Sequence, residues 1–126
     1  MSYPDIMKGA EVFRSIDLDE SEEQVKGKEG IVLGFDATNM SASPLYLKFY
    51  DAASANVTVG TTTPKMTYPV PTLGDTNGAG RTQGPEFGPN GISFWNGITV
   101  AVTTGLADND TGAPSANDCV VHVYYR

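Results

Sequence analysis

Apolar residues recur at every second position through most of this chain. A period of two puts them all on one face of an extended strand, so the local structure that buries them is a half-buried β-strand. Residues 30–40 are the longest such run: Ile31, Leu33, Phe35 and Ala37 share one face, and Gly34, Asp36 and Thr38 the other. In residues 43–51, Leu45, Leu47 and Phe49 alternate with Tyr46, Lys48 and Tyr50. Residues 118–125 set Cys119, Val121, Val123 and Tyr125 against Val120, His122 and Tyr124. Shorter runs cover 10–16, with Val12, Arg14 and Ile16 opposite Phe13 and Ser15. Others cover 56–60, 64–70, 91–95 and 97–104. Pro64, Pro69 and Pro71 mark 64–70 as an edge strand, because proline donates no ladder hydrogen bond. Residues 19–25 fit a short helix or a strand equally well.

These segments predict about eight strands and almost no helix, hence an all-β fold: an antiparallel β-sandwich, jelly-roll-like. The four residues 39–42 suit a hairpin between the second and third runs, and 91–104 reads as another hairpin. Residues 73–89 and 106–117 read as polar loops at the ends of the sandwich. Gly and Pro together number 22 of 126, about 17% against a usual ~12%, which favours short strands and turns. The core is predicted to include Phe35, Leu47, Phe49, Val100 and Val121. At 126 residues the chain has material for a single domain, 1–126, with residues 1–13 an N-terminal arm or an edge strand.

Charge and cysteine content narrow the function. The net charge is −7, which argues against nucleic acid, where affinity comes from Lys and Arg on phosphates. It argues equally against an anionic membrane surface, and no apolar run is long enough for a spanning helix. The opening Met1–Asp5 lacks the basic and apolar regions of a secretion signal. One cysteine, Cys119, permits neither an internal disulfide nor a Cys-rich zinc site.

Each chemically suggestive group has a bland reading that fits better. His122 is the single histidine, and no Gly-x-Ser-x-Gly elbow accompanies it. Cys119 falls on the opposite strand face from His122, so the two make a poor nucleophile–base pair. Asp108-Asn109-Asp110-Thr111-Gly112 has the spaced carboxylates of half a calcium loop, but glycine falls at loop position five instead of six, and Cys119 stands where glutamate is needed. It reads as a polar turn. Gly78-Ala79-Gly80-Arg81 lacks the Lys-Ser or Lys-Thr of a phosphate loop, and no cofactor is expected. The acids Asp17, Asp19, Glu20, Glu22 and Glu23 read as a solvated face or as a surface for a basic partner. Tyr46, Tyr50, Tyr68, Trp95, Tyr124 and Tyr125 fit a core, an oligomer interface or, less well, a sugar-binding face.

Residues 29–126 carry a family pattern. Its parts are Glu29-Gly30-Ile31-Val32-Leu33-Gly34-Phe35, Asn39, Leu45-Tyr46-Leu47-Lys48-Phe49-Tyr50-Asp51 and Val57-Thr58-Val59-Gly60-Thr61-Thr62-Thr63-Pro64. Gly91-Ile92-Ser93-Phe94, Gly97-Ile98-Thr99-Val100-Ala101-Val102, Ala107-Asp108-Asn109-Asp110 and Tyr124-Tyr125 follow. This resembles small structural proteins encoded in the virion gene clusters of tailed bacteriophages, cyanophages included, some of which decorate or cement capsids. The resemblance implies a non-enzymatic virion β-sandwich assembled in the host bacterial cytoplasm. Its partner would be the major capsid protein lattice, and its expected form a homotrimer. Bulky groups on both faces of 45–50 and 120–125 agree with association. The candidate partner-binding residues are Tyr3, Ile6, Met7 and Phe13 of the apolar N-terminal segment, with Asp19, Glu20, Glu22 and Glu23 beside it. The alternative is a tail- or fibre-associated sandwich that recognises host surface glycan.

Overall fold

The structure is a computed structural model and describes residues 9–72, 80–84 and 90–126. Among the described residues nine strands form two antiparallel sheets. In chain order they are β1 (Glu11–Ser15), β2 (Glu23–Lys26), β3 (Gly30–Asn39), β4 (Leu45–Tyr50), β5 (Met66–Val70), β6 (Gly80–Gln83), β7 (Ile92–Phe94), β8 (Ile98–Thr103) and β9 (Cys119–Tyr125). One sheet, sheet A, runs β1-β9-β3-β6, with β7 extending the β6 side of β3; the other, sheet B, runs β2-β8-β4-β5.

The pairings nest. β1 pairs β9, β2 pairs β8, β3 pairs β6 and β4 pairs β5. With the three-residue β7 set aside, this is one long antiparallel ribbon rolled so that successive rungs alternate between the sheets. That order is the jelly roll. The β-sandwich expected from the period-two runs is therefore present, with nine strands.

The core lies between the sheets. Phe35, Ala37, Val121 and Val123 project from sheet A; Leu45, Leu47, Phe49, Ile98, Val100 and Val102 project from sheet B, all essentially inaccessible to water. Phe35 on β3 meets Phe49 on β4 at 5.3 Å between ring centroids and Tyr68 on β5 at 4.7 Å, both tilted. These offset aromatic contacts hold sheet to sheet.

Several sequence expectations need correction. The expected hairpin across 39–42 is a corner: β3 ends in sheet A and β4 begins in sheet B. Asn39 shapes it, because its amide donates to the Ser43 carbonyl (2.8 Å) while its Oδ1 accepts from the Ser41 backbone (2.8 Å). The 91–104 hairpin is likewise a crossing, since β7 belongs to sheet A and β8 to sheet B. Gly97 makes that crossing possible: its φ is +149°, and a Cβ there would lie 2.7 Å from the Ala53 nitrogen. Residues 56–60 are no strand. A 3-10 turn at Ser54–Asn56 leads into a turn closed by Thr61 N–H to the Thr58 carbonyl, 2.9 Å. Residues 23–26 resolve the helix-or-strand ambiguity as a strand. The expected 73–89 loop contains β6, and its remainder falls mostly outside the described residues.

In β3 the register against β9 shifts between Val32 and Gly34. This bulge changes the parity of the strand. Val32 is consequently the fully buried residue, and Ile31 and Leu33, expected beside Phe35, are half-buried.

Phe49→Ala, which empties the inter-sheet aromatic contact, should cost about 3–5 kcal/mol in urea unfolding. A change near zero would contradict this packing.

Candidate functional site

The apolar pattern left one feature undetected: sheet B is covered on both faces. Tyr50, Lys48, Thr99, Ala101 and Thr103 point away from the sandwich core, yet all are buried. The chain between β4 and β5 folds back over them, and Val57 and Val59 pack on Tyr50 and Ala101. The β8–β9 connection covers the rest. Lys48 Nζ donates to the Ala107 carbonyl at 2.6 Å, and Thr99 Oγ1 donates to the Ala52 carbonyl at 2.7 Å. The second bulky face of β4, expected to meet another subunit, is thus closed by its own chain.

This layer has unusual electrostatics. Burial lowers the Lys48 ammonium from its ordinary value, opposed by the nearby charges of Asp110 and Asp108. Burial pushes the Tyr50 phenol up to about 12, with Asp108 and Glu22 adding to the effect. Among the described residues the Tyr50 hydroxyl finds no hydrogen-bond partner. Glu20 Oε2 is a second buried atom without a partner. Glu20 and Glu22 border a cleft of about 330 Å³ shared with Val57, Thr58, Val59 and Thr111.

The other acids of the run have hydrogen-bond partners of their own. Asp17 accepts from the Asn117 amide (2.6 Å), Asp19 Oδ1 from the Ser21 amide (2.9 Å), and Glu23 from the Ser15 hydroxyl (2.8 Å). Between them Leu18 is buried, and the Asp19 carbonyl accepts from Val102 N–H at 2.7 Å. The run from Asp17 to Glu23 is therefore the crossing from sheet A to sheet B, not one solvated acidic face. Of this run, Glu20, Ser21 and Glu22 border the cleft. The Asp108–Gly112 turn is held by its own acid, since Asp110 Oδ1 accepts from Gly105 (3.1 Å) and Gly112 (2.8 Å).

Cys119 points into the core, and burial pushes its thiol up to about 12. His122 is on the opposite face of β9, in register with Asp36 and Arg14. Asp36 pairs with Arg81 through two contacts, one of them 2.9 Å. The aromatic set is dispersed: Tyr50 lies under the β4–β5 connection, Tyr68 in the core, Tyr124 and Tyr125 on β9, and Trp95 in solvent.

Two features remain open. The first is the β1 edge of sheet A. Phe13, a candidate partner-binding residue, packs inward against the core. Val12 and Ile16 point outward, 58% and 50% exposed, so residues 11–13 belong to an edge strand of their own sandwich. Tyr3, Ile6 and Met7 lie outside the described residues. The second is a cleft of about 440 Å³ bordered by Lys26, Lys28, Arg126 and Trp95. Its lining comes from three separate stretches, residues 26–31, residues 93–95 and Arg126, so no local motif announced it. The single exposed tryptophan was the available signal. Comparison with protein-family models, with curated proteins and with solved structures finds no match.

Tyr50→Phe removes an unpartnered hydroxyl and should raise stability by about 1 kcal/mol at pH 7. Raised folded values mean that stability is full below the ordinary values, 10.0 for Tyr50 and 9.0 for Cys119, and is lost as pH climbs toward about 12. Urea titrations at pH 7 and pH 11 should show a smaller alkaline loss in Tyr50→Phe than in the parent. Equal losses would show that the phenol is not what titrates.

Proposed function

We propose that this chain is a non-enzymatic structural protein of a tailed-bacteriophage virion. In this reading it is a capsid decoration or cement subunit that binds the outside of the major capsid protein lattice as a homotrimer and stabilises the head. The resemblance of residues 29–126 to phage virion proteins supports it, and a jelly roll is a fold that virion proteins use.

The observation that carries the reading is the β1 edge. An edge strand offers unpaired backbone groups to another chain, and monomers usually blunt such edges with lysine, proline or bulges. Here β1 reads Glu-Val-Phe-Arg-Ser, with a single cation and with Val12 and Ile16 exposed on either side of it. In the sequence, the apolar residues Tyr3, Ile6 and Met7 precede this strand. Glu20 and Glu22 add a place for a basic side chain, though exposed ion pairs contribute only about 0–1 kcal/mol each. Attachment also stabilises the subunit, because a lattice that binds only the folded state shifts unfolding.

Val12→Lys with Ile16→Lys should leave the sandwich folded and reduce decoration of purified particles severely. Undiminished decoration would remove the β1 edge from the contact. Light scattering should give roughly 40 kDa for the free protein, three times the 13.4 kDa chain.

The second reading, a tail- or fibre-associated module that recognises host surface glycan, is favoured by one observation, the exposed Trp95 beside a basic cleft. Copy number per particle separates the two: many for a head decoration, few for a tail tip.

A further inference from the structure

Three of the chain's eight Lys and Arg residues converge on one end of the sandwich, in a protein whose net charge is −7. Lys26 ends β2, Lys28 lies in the turn to β3, and Arg126 follows β9. Glu29 is the one acid on the same cleft. Among the described residues, none of the three cations forms an ion pair.

The backbone under this cleft is fixed. Arg126 and Ile31 exchange two backbone hydrogen bonds, each 2.9 Å. Gly30 lets the groups come close: a Cβ there would lie 2.8 Å from Lys26 Cδ and 2.7 Å from the Arg126 carbonyl oxygen. Any larger residue would push Lys26 and Arg126 apart. Trp95 is held from both sides. Phe94 before it is anchored in the core, and the Asn96 N–H after it donates to Asp51 Oδ1 at 2.8 Å. Trp95 as a residue is 74% exposed. A large aromatic face presented to water from a rigid backbone, beside cations, costs little ordering on binding.

The ligand must use both elements. Inorganic anions would leave the indole unused. A neutral sugar would stack its C–H face on the indole but leave the cations unused. Nucleic acid needs far more cations than three against this net charge. An acidic pyranoside satisfies both: its ring face covers the indole, and its carboxylate accepts the paired N–H groups of a guanidinium. We propose that the Lys26–Lys28–Trp95–Arg126 cleft binds an anionic oligosaccharide of uronic-acid type. This deepens the glycan-binding reading by naming the ligand class, and it stands equally if the chain decorates the head, since copy number alone decides placement.

Trp95 is the chain's single tryptophan, so its emission reports this cleft directly. Titration of the full chain with tetragalacturonate should give a saturable emission change. Maltotetraose, neutral and of equal length, should bind at least about tenfold more weakly. Arg126→Gln and Lys28→Gln, both at exposed positions, should each weaken tetragalacturonate about tenfold while leaving the unfolding midpoint unchanged. Trp95→Ala, followed by calorimetry, should abolish the binding heat. Salt at about 0.5 M, where screening acts within roughly 4–5 Å, should weaken binding several-fold. Any of four results overturns the proposal: no response up to about 10 mM, equal binding of maltotetraose, equal binding of hexaglutamate, or unchanged affinity in Arg126→Gln. The hexaglutamate result would assign the cleft to acidic peptides instead.

Discussion

The pairing of β3 with β9 is what the rest of the structure depends on. β9 lies between β3 and β1, and β3 carries β6 and β7 on its other side, so every strand of sheet A is attached through this pair. The partners are about eighty residues apart in the chain, Asn39 facing Cys119 and Phe35 facing Val123. Local pairing supplies little of the fold, because among the described residues β4 and β5 are the only successive strands that pair with each other. Loop-closure entropy must be met before such contacts stabilise anything. The inter-sheet contact of Phe35 with Phe49 and Tyr68 then couples sheet A to sheet B.

Burial on both faces of sheet B follows from the same topology. The β4–β5 and β8–β9 connections leave neighbouring strands of sheet B and settle on its outer face. There they enclose Lys48, Tyr50, Thr99 and Thr103. Most of these polar groups find backbone partners in the covering loops, which pins the loops in place. With this face closed, the surfaces left for partners are the β1 edge and the sandwich end at Trp95.

Much of the fold was legible because period two survives wherever one face is buried. β1 and β9 show the expected alternation, β4 turns Leu45, Leu47 and Phe49 to the core although its other face is covered too, and Phe35, Leu47, Phe49, Val100 and Val121 are core. Pairing was not legible. Residues 39–42 have the length of a hairpin, yet Asn39 and its serine neighbours form an inter-sheet corner, a distinction set by tertiary contacts. The bulge at Val32–Gly34 reversed the face of Ile31 and Leu33. Val57 and Val59 alternate like a strand but serve as a lid on Tyr50. Lys48 resisted prediction for a related reason: its strand position is an outward one, and only the returning loop buries it. The acids from Asp17 to Glu23 looked like a patch because sequence proximity hides that Asp17 binds Asn117 and Glu23 binds Ser15, while Asp19 turns back onto Ser21.

The contact of Phe35 with Phe49 and Tyr68 makes the two sheets one cooperative body, and this claim is central. Native-state hydrogen exchange tests it most directly. The slowest amides of β3 and β9 in sheet A and of β4 and β8 in sheet B should open with the same free energy and the same dependence on denaturant. Separate opening energies for the two sheets would contradict the claim, because the Phe35–Phe49–Tyr68 contact would then not couple them.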